Sequence, residues 1–204
     1  RMWTSKEGFF GFEAKRLNAI SLSHEQTGIP RVFLSELDTR LFGEDLKTIV
    51  DNLVGALDPA VSNVDRLMGE GGWLVPPWEV YERLAEESEY TAWVAAFGLR
   101  ANHFTVSVNS LERIQGVGEM NEVLEAEGFR LNASGGKIKG SAGLYLEQSS
   151  TMADRVPWTF AGDQTHTIPS CYVEFAYRHT LPSGMLFDGF VTGSADRIFE
   201  STNG

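Results

Sequence analysis

CYVEFAYR, Cys171 to Arg178, and ANHFTVSVN, Ala101 to Asn109, are the two stretches whose joint reading decides the fold. In the first, alternation puts Tyr172, Glu174 and Ala176 on one face, leaving a carboxylate in the middle of a run otherwise built from Tyr, Val and Phe. Such a charge is costly unless something pairs with it. In the second, His103, Thr105, Ser107 and Asn109 share one face while Phe104, Val106 and Val108 share the other, the pattern of a half-buried strand. Two strands that each bring one metal-capable side chain to a shared polar interior supply what a His/carboxylate iron or zinc site requires: neutral imidazole, anionic oxygen and open positions. Each residue alone has a plainer alternative. A lone strand histidine is more often a hydrogen-bonded structural residue, and Glu174 could be an inward charge guarding an edge strand.

The rest of the chain sets bounds on that reading. Its 204 residues suffice for one large domain or two small ones, and 42% hydrophobic with 11% aromatic residues argues against disorder. A formal charge of −11 speaks against nucleic acid, whose phosphates require a Lys/Arg surplus. A small anionic substrate remains open, because a local arginine or metal outweighs the global field. The single cysteine, Cys171, excludes an internal disulfide framework and fits a reducing compartment. No run of about eighteen apolar residues is present, so no membrane span is expected. The opening RMWTSKEGFFGFEAK carries no signal-peptide pattern, and the natural start is expected upstream of Arg1. A cytoplasmic location is expected, or a plastid or mitochondrial one in a eukaryote.

Taken in order, residues 1 to 15 read as a loop entering a strand. Leu17 to Ser23 and Arg31 to Leu37 read as strands joined by a hairpin loop with Gly28 and Pro30 as breakers. From Glu44 to Leu57, Leu46, Ile49, Val50, Leu53, Val54 and Leu57 make an amphipathic helical stripe. Val75 to Glu89 opens on prolines suited to a helix start, and Tyr90 to Leu99 continues as an apolar helix, with Gly69 to Gly72 as a joint upstream. Met120, Val123 and Leu124 mark a further helix within Gly116 to Gly128. Lys137 to Gln148 holds a strand with Leu144 and Leu146 on one face and Tyr145 and Glu147 on the other. Asp154 to Phe160 adds a further strand, Gly162 to Pro169 reads as a loop, and Met185 to Thr192 as a last strand. The sum is an α+β chain with a βαβββ order over residues 101 to 192. The GGKIKGS stretch lacks the spacing of a phosphate loop. EVYERLAEESE reads as a solvated helix face. Cys171 reads as a small buried residue rather than a nucleophile. His24 falls in loop text, and His166 and His179, which flank the Glu174 strand, read as solvated.

Five separated strings, ANHFTVSVN, LNASGGKIKGS, LEQSSTMAD, CYVEFAYR and FVTGSADRIFEST, together with FEAKRLNAISLSHEQTGIPRVFLSEL upstream, resemble the short form of the 2-oxoadipate dioxygenase/decarboxylase family. The resemblance runs over nearly the whole chain. It implies a fold related to the vicinal oxygen chelate proteins, in which paired βαβββ modules form a half-barrel around a metal, here with an inserted helical segment. On that basis the chain is one metal-dependent oxygenase domain. Residues 1–43 are the remainder of the first β module, 44–100 the helical insertion and 101–204 the second βαβββ module, and an N-terminal strand and helix are missing. The implied chemistry is Fe(II)-dependent conversion of 2-oxoadipate and dioxygen to 2-hydroxyglutarate and carbon dioxide, a step of lysine catabolism.

Carried over onto this chain, the resemblance makes His103 and Glu174 metal ligands. The family's other histidine lies in a motif resembling DHIAFRTF, and no such motif occurs here; its strand is expected to precede Arg1. The resemblance places Ser194, with Gly193 beside it, near the substrate carboxylate. Arg197 and Gln148 are further candidates for that carboxylate, and Arg178, four residues past Glu174 on the same strand face, is the candidate second partner of the site. The open sheet edge left by the missing strand predicts pairing of the chain with a second copy. Two other functions remain open on the same scaffold: a lyase or isomerase using another divalent metal, and a non-catalytic binding protein that has lost its first metal histidine.

Overall fold

A computed structural model describes residues 3–12, 16–26, 28–62, 64–65, 73–191, 198 and 201. The chain divides into two compact units, residues 1–99 with 160–164, and residues 100–159 with 165–204.

In the first unit, β1 (Trp3–Phe12), β2 (Leu17–His24) and β3 (Val32–Leu37) form an antiparallel sheet in that order. The N-terminal stretch expected to be a loop is therefore a strand, and His24 ends β2 instead of lying in a loop. The connection from β2 to β3 uses Gly28 at φ +88°, backbone that glycine adopts without steric cost. Among the described residues the helices α1 (Glu44–Gly55), α2 (Trp78–Glu87) and α3 (Glu89–Phe97) follow. Leu46 of α1, Leu84 of α2, and Ala92 and Ala95 of α3 make the buried centre, with Ile49, Val50 and Leu53 packed against it. Val54, expected on the apolar stripe, turns outward. The helix read as continuous through residue 90 is broken at Ser88, whose extended backbone and side-chain acceptor for the Thr91 N–H cap α3. Gly98 closes α3 at φ +78°, where an added Cβ would lie 3.0 Å from the Trp73 ring. That ring is fixed by its Nε1–H donating to Ala95 O at 2.9 Å. The expected joint at Gly69 to Gly72 lies outside the described residues.

The second unit contains β4 (His103–Ser107), α4 (Val117–Ala126), β5 (Lys139–Ser141), β6 (Leu146–Ser150), a hairpin of β7 (Arg155–Phe160) and β8 (Gln164–Pro169) apart from its residues 160–164, and β9 (Tyr172–Arg178). Its main sheet runs β4-β9-β6-β5, with β4 parallel to β9 and the other pairs antiparallel. One face is apolar: Val108, Leu124 and Phe175 are buried together, with Val106, Met120 and Tyr177 against them. Because side chains alternate along each strand, the opposite face receives His103, Glu174 and Gln148.

Three expectations change in this unit. Residues 164–169 are a strand, not a loop, reached through a two-residue turn in which Gly162 and Asp163 have φ of +80° and +59°. Leu144 sits in a 3-10 turn, and Tyr145 at φ +58° ends it, so the strand begins only at Leu146. Residues 185–191 form no strand. The Phe187 N–H donates to His179 O, and the carbonyls of Phe187 and Gly189 accept from the Arg178 guanidinium, so the segment is held as an irregular loop.

Candidate metal centre

Glu174 lies on the second strand of the sheet, between β4 on one side and β6 on the other. The registers place His103 opposite Tyr172 and Gln148 opposite Ala176, so His103 and Gln148 are both diagonal neighbours of Glu174 on the same face. Each reaches a different carboxylate oxygen. His103 Nε2 lies 3.1 Å from Glu174 Oε2, and Gln148 Nε2 donates to Oε1. The His103 ring is oriented by Tyr172, stacked at 4.5 Å between centroids and 16° between planes. Glu174 and Gln148 are buried, while His103 keeps about a fifth of its side chain open.

This arrangement fits a metal ion. Two donor atoms each about 2.1 Å from an ion and at right angles are about 3.0 Å apart, close to the 3.1 Å between Nε2 and Oε2. Gln148 occupies Oε1, so Oε2 is the oxygen free to bind. Among the described residues no group of three or more His, Cys, Asp or Glu side chains converges, and His103 and Glu174 are the pair that could hold an ion.

The other sequence candidates are distributed differently. Arg178 shares the face, but its guanidinium donates to Phe187 O at 3.2 Å and Gly189 O at 2.7 Å and lies over the Phe190 ring, so it positions that loop. Gly193, Ser194 and Arg197 lie outside the described residues. His179, expected to be solvated, is partly buried, with Nε2 3.2 Å from Glu147 Oε2 and its ring edge-on to Tyr177. The Nδ1 of His24 accepts the Gln26 N–H, a local turn contact. Cys171 is solvent-accessible, not buried; desolvation by its neighbours raises its thiol above the ordinary range, and Arg100 opposes that shift. Sequence reasoning missed the buried set beside the site: Lys139, Asn132, Ser150 and Ser201. Asn132 Nδ2 donates to Ser201 Oγ, and Ser201 Oγ shares a hydrogen bond with Ser150 Oγ, the residue paired across from Glu174. The visible signal was a run of polar letters, QSST, continuing on both faces of a strand that lies inside the sheet.

The model of the 2-oxoadipate dioxygenase/decarboxylase family matches residues 56–186. The chain belongs to this family. A chloroplastic 2-oxoadipate dioxygenase/decarboxylase of Arabidopsis thaliana is 36% identical over 188 residues, covering 85% of this chain and 51% of the relative. The chain thus spans about half the length of the curated plant relatives it matches. Hydroxyglutarate synthase from Oryza sativa, solved in complex with 2-oxoadipate, superimposes with a TM-score of 0.90 at 32% identity, over 98% of this chain and 72% of that one. A glyoxalase superfamily protein from Ralstonia eutropha shares the fold, with a TM-score of 0.74 at 22% identity over 93% of this chain and 65% of that one. The α+β, vicinal-oxygen-chelate-like class read from the sequence is therefore the observed one. Among the described residues no helix is long and apolar enough to cross a membrane.

Proposed function

We propose that this chain carries part of the active site of an Fe(II)-dependent 2-oxoadipate dioxygenase/decarboxylase, with His103 and Glu174 as two of the metal ligands. The observation that supports it most directly is the 3.1 Å approach of one imidazole nitrogen and one buried carboxylate oxygen from parallel neighbouring strands. The matched relatives bear the name of this activity, and the rice neighbour holds 2-oxoadipate.

When bound, Fe(II) supplies the chelation of a 2-oxo acid through its carboxylate and keto oxygens and the electrons that activate dioxygen. Atoms balance as 2-oxoadipate and dioxygen giving 2-hydroxyglutarate and one carbon dioxide. The chain's own residues hold and orient. Tyr172 fixes the plane of the His103 ring, and Gln148 fixes the rotation of the Glu174 carboxylate, so neither ligand has to be ordered when metal arrives. Burial of Glu174 and Gln148 keeps water from competing at the carboxylate. Gln148 Oε1 finds no hydrogen-bond partner among the described residues, which leaves an acceptor for a group entering the site. In this reading Ser194, Gly193 and Arg197 contribute to the far carboxylate.

Among the described residues β3 in the first unit and β4 in the second are edge strands, as are β1, β5, β7 and β8. Exposed Val32 and Leu34 on β3 and Phe104 on β4 make these edges suitable for pairing with a second copy. Light scattering that gives the mass of one chain at all concentrations rules that pairing out.

Dioxygen uptake with 2-oxoadipate, measured on the metal-loaded protein, tests the activity. Uptake matched by 2-hydroxyglutarate supports it. Conversion of the acid without oxygen consumption would move the protein to the lyase or isomerase class.

A further inference from the structure

Ser201 is fully buried, and its hydroxyl is used to capacity. Its Oγ donates to Ile198 O at 2.6 Å, accepts from Asn132 Nδ2 at 2.9 Å and lies 2.7 Å from Ser150 Oγ. A hydroxyl has one hydrogen and two lone pairs, and a carbonyl only accepts, so the hydrogen goes to Ile198 and Ser150 is the donor of its pair. The Ser201 carbonyl accepts in turn from the Ala153 N–H at 2.8 Å. Residues 198 and 201 are thereby fastened to the end of β6, where Ser150 stands directly across from Glu174.

This fastening carries Ile198 with it. Ile198, Ala153 and Tyr172 are buried together, and Tyr172 is the ring stacked on His103 at 4.5 Å and 16°. His103 needs that support. It opens β4, an edge strand with β9 as its strand neighbour among the described residues, and about a fifth of its side chain is open to solvent. An imidazole in that place turns about its χ2 unless a packed neighbour stops it. Tyr172 stops it only as far as Tyr172 is itself held.

We propose that Ser201 is a positioning residue of the metal centre: through Ile198 it backs the Tyr172 ring that sets the plane of His103, and through Ser150 it braces β6 beside Glu174. This rests on the proposed function above and extends it to a residue that touches neither ligand. Removing the hydroxyl leaves the Ser150 O–H and an Asn132 N–H without their acceptor in a place closed to water, so the segment has to shift for them to find another. If Ser201 only stabilised the second unit, its loss would weaken the fold and leave His103 as it is.

The test compares Ser201→Ala, Ile198→Val and Leu124→Ala with the parent. The first two act on the Tyr172 side, and the third removes packing on the opposite, apolar face of the same sheet, so it controls for lost stability alone. The His103 ring-proton resonances of the metal-free chain report the stack, because a stacked aromatic ring displaces them. They should move toward the positions of an unstructured histidine peptide in Ser201→Ala, move the same way by less in Ile198→Val, and stay in Leu124→Ala. Co(II) titration followed by absorbance should show an affinity about tenfold weaker in Ser201→Ala, as for the loss of a ligand-orienting partner, and parental affinity in Leu124→Ala. A folded Ser201→Ala chain with parental His103 resonances or parental Co(II) affinity overturns the role, as does a Leu124→Ala chain whose resonances move equally far. Should Ser201→Ala fail to fold, Ile198→Val, which loses a single methylene, decides on the same resonances, and unmoved signals there overturn it. A parent chain that binds no Co(II) overturns the proposed function, while the metal-free resonances still tell whether Ser201 orients the His103 ring.

Discussion

Replacing Gln148 with leucine isolates the bond that sets Glu174 in place. Gln148 is 3% exposed and Glu174 5%, so the amide-to-carboxylate bond is made out of water. A hydrogen bond to a charged group contributes about 1.5–3 kcal/mol. Leucine has nearly the volume of glutamine, so little is added for a cavity. The substitution also removes Oε1, which lacks a partner among the described residues and which itself costs about 1 kcal/mol in the parent. The net loss is about 1–2 kcal/mol, a fall in melting temperature of roughly 2–8 °C for a chain of this size. Metal affinity should fall further than stability, by about 10- to 100-fold, because the carboxylate no longer presents a fixed oxygen. Thermal melts of the metal-free chain and Co(II) titration followed by absorbance read the two effects separately. The reasoning is refuted by a Gln148→Leu chain that melts with the parent and binds Co(II) equally well.

His103→Ala and Glu174→Ala should each reduce bound metal, measured by elemental analysis after dialysis, to the level of a chain denatured beforehand, and parental metal content in either removes that residue from the ligand set. Gly98→Ala combines a left-handed backbone with a Cβ 3.0 Å from the Trp73 ring, so it should destabilise the first unit by about 1–3 kcal/mol in urea melts; a loss under 0.5 kcal/mol would show that Trp73 yields freely. Desolvation holds the Cys171 thiol above its ordinary range, so its thiolate is scarce at neutral pH and grows only as pH rises beyond that range. Alkylation of Cys171 should accordingly be slower at pH 7.5 than that of an unstructured cysteine peptide and accelerate at higher pH, and a rate equal to the peptide's speaks against the shift.

The two metal-capable residues were legible because each sits in a strand whose alternation is strong, with Val106 and Phe175 marking the buried face opposite them. What surrounds them was harder to read. Lys139 lies in a glycine-rich run that looks like a turn, and nothing in KIKGS says that the second lysine is buried while Lys137 stays half open on Glu125. Its burial depends on pairing with Gln148 across the sheet, a long-range fact. β8 was missed because QTHTIP has a single deeply buried residue, Ile168, although the Gly162–Asp163 pair before it is the usual chemistry of a tight hairpin. MLFDGFVT misled in the other direction. Its apolar letters suggest a strand, yet Arg178 and His179 engage its backbone. Arg178 shows the general limit: alternation gives the face on which a guanidinium leaves a strand, not which acceptors it finds.

The parallel pairing of β4 with β9 joins residues separated by most of the second unit, His103 with Tyr172 and Thr105 with Glu174. Such a pair cannot close through a short turn; everything between the two strands, α4 and the β5–β6 and β7–β8 segments included, must first be brought into place, and that closure is slow compared with forming a hairpin or a helix. Metal capture should therefore be among the last signals to appear during refolding, lagging the recovery of helical circular dichroism. An ion held between β4 and β9 would clasp the long connection between them, so its binding would also lock the order of assembly, and a half-made chain would have nowhere to keep it.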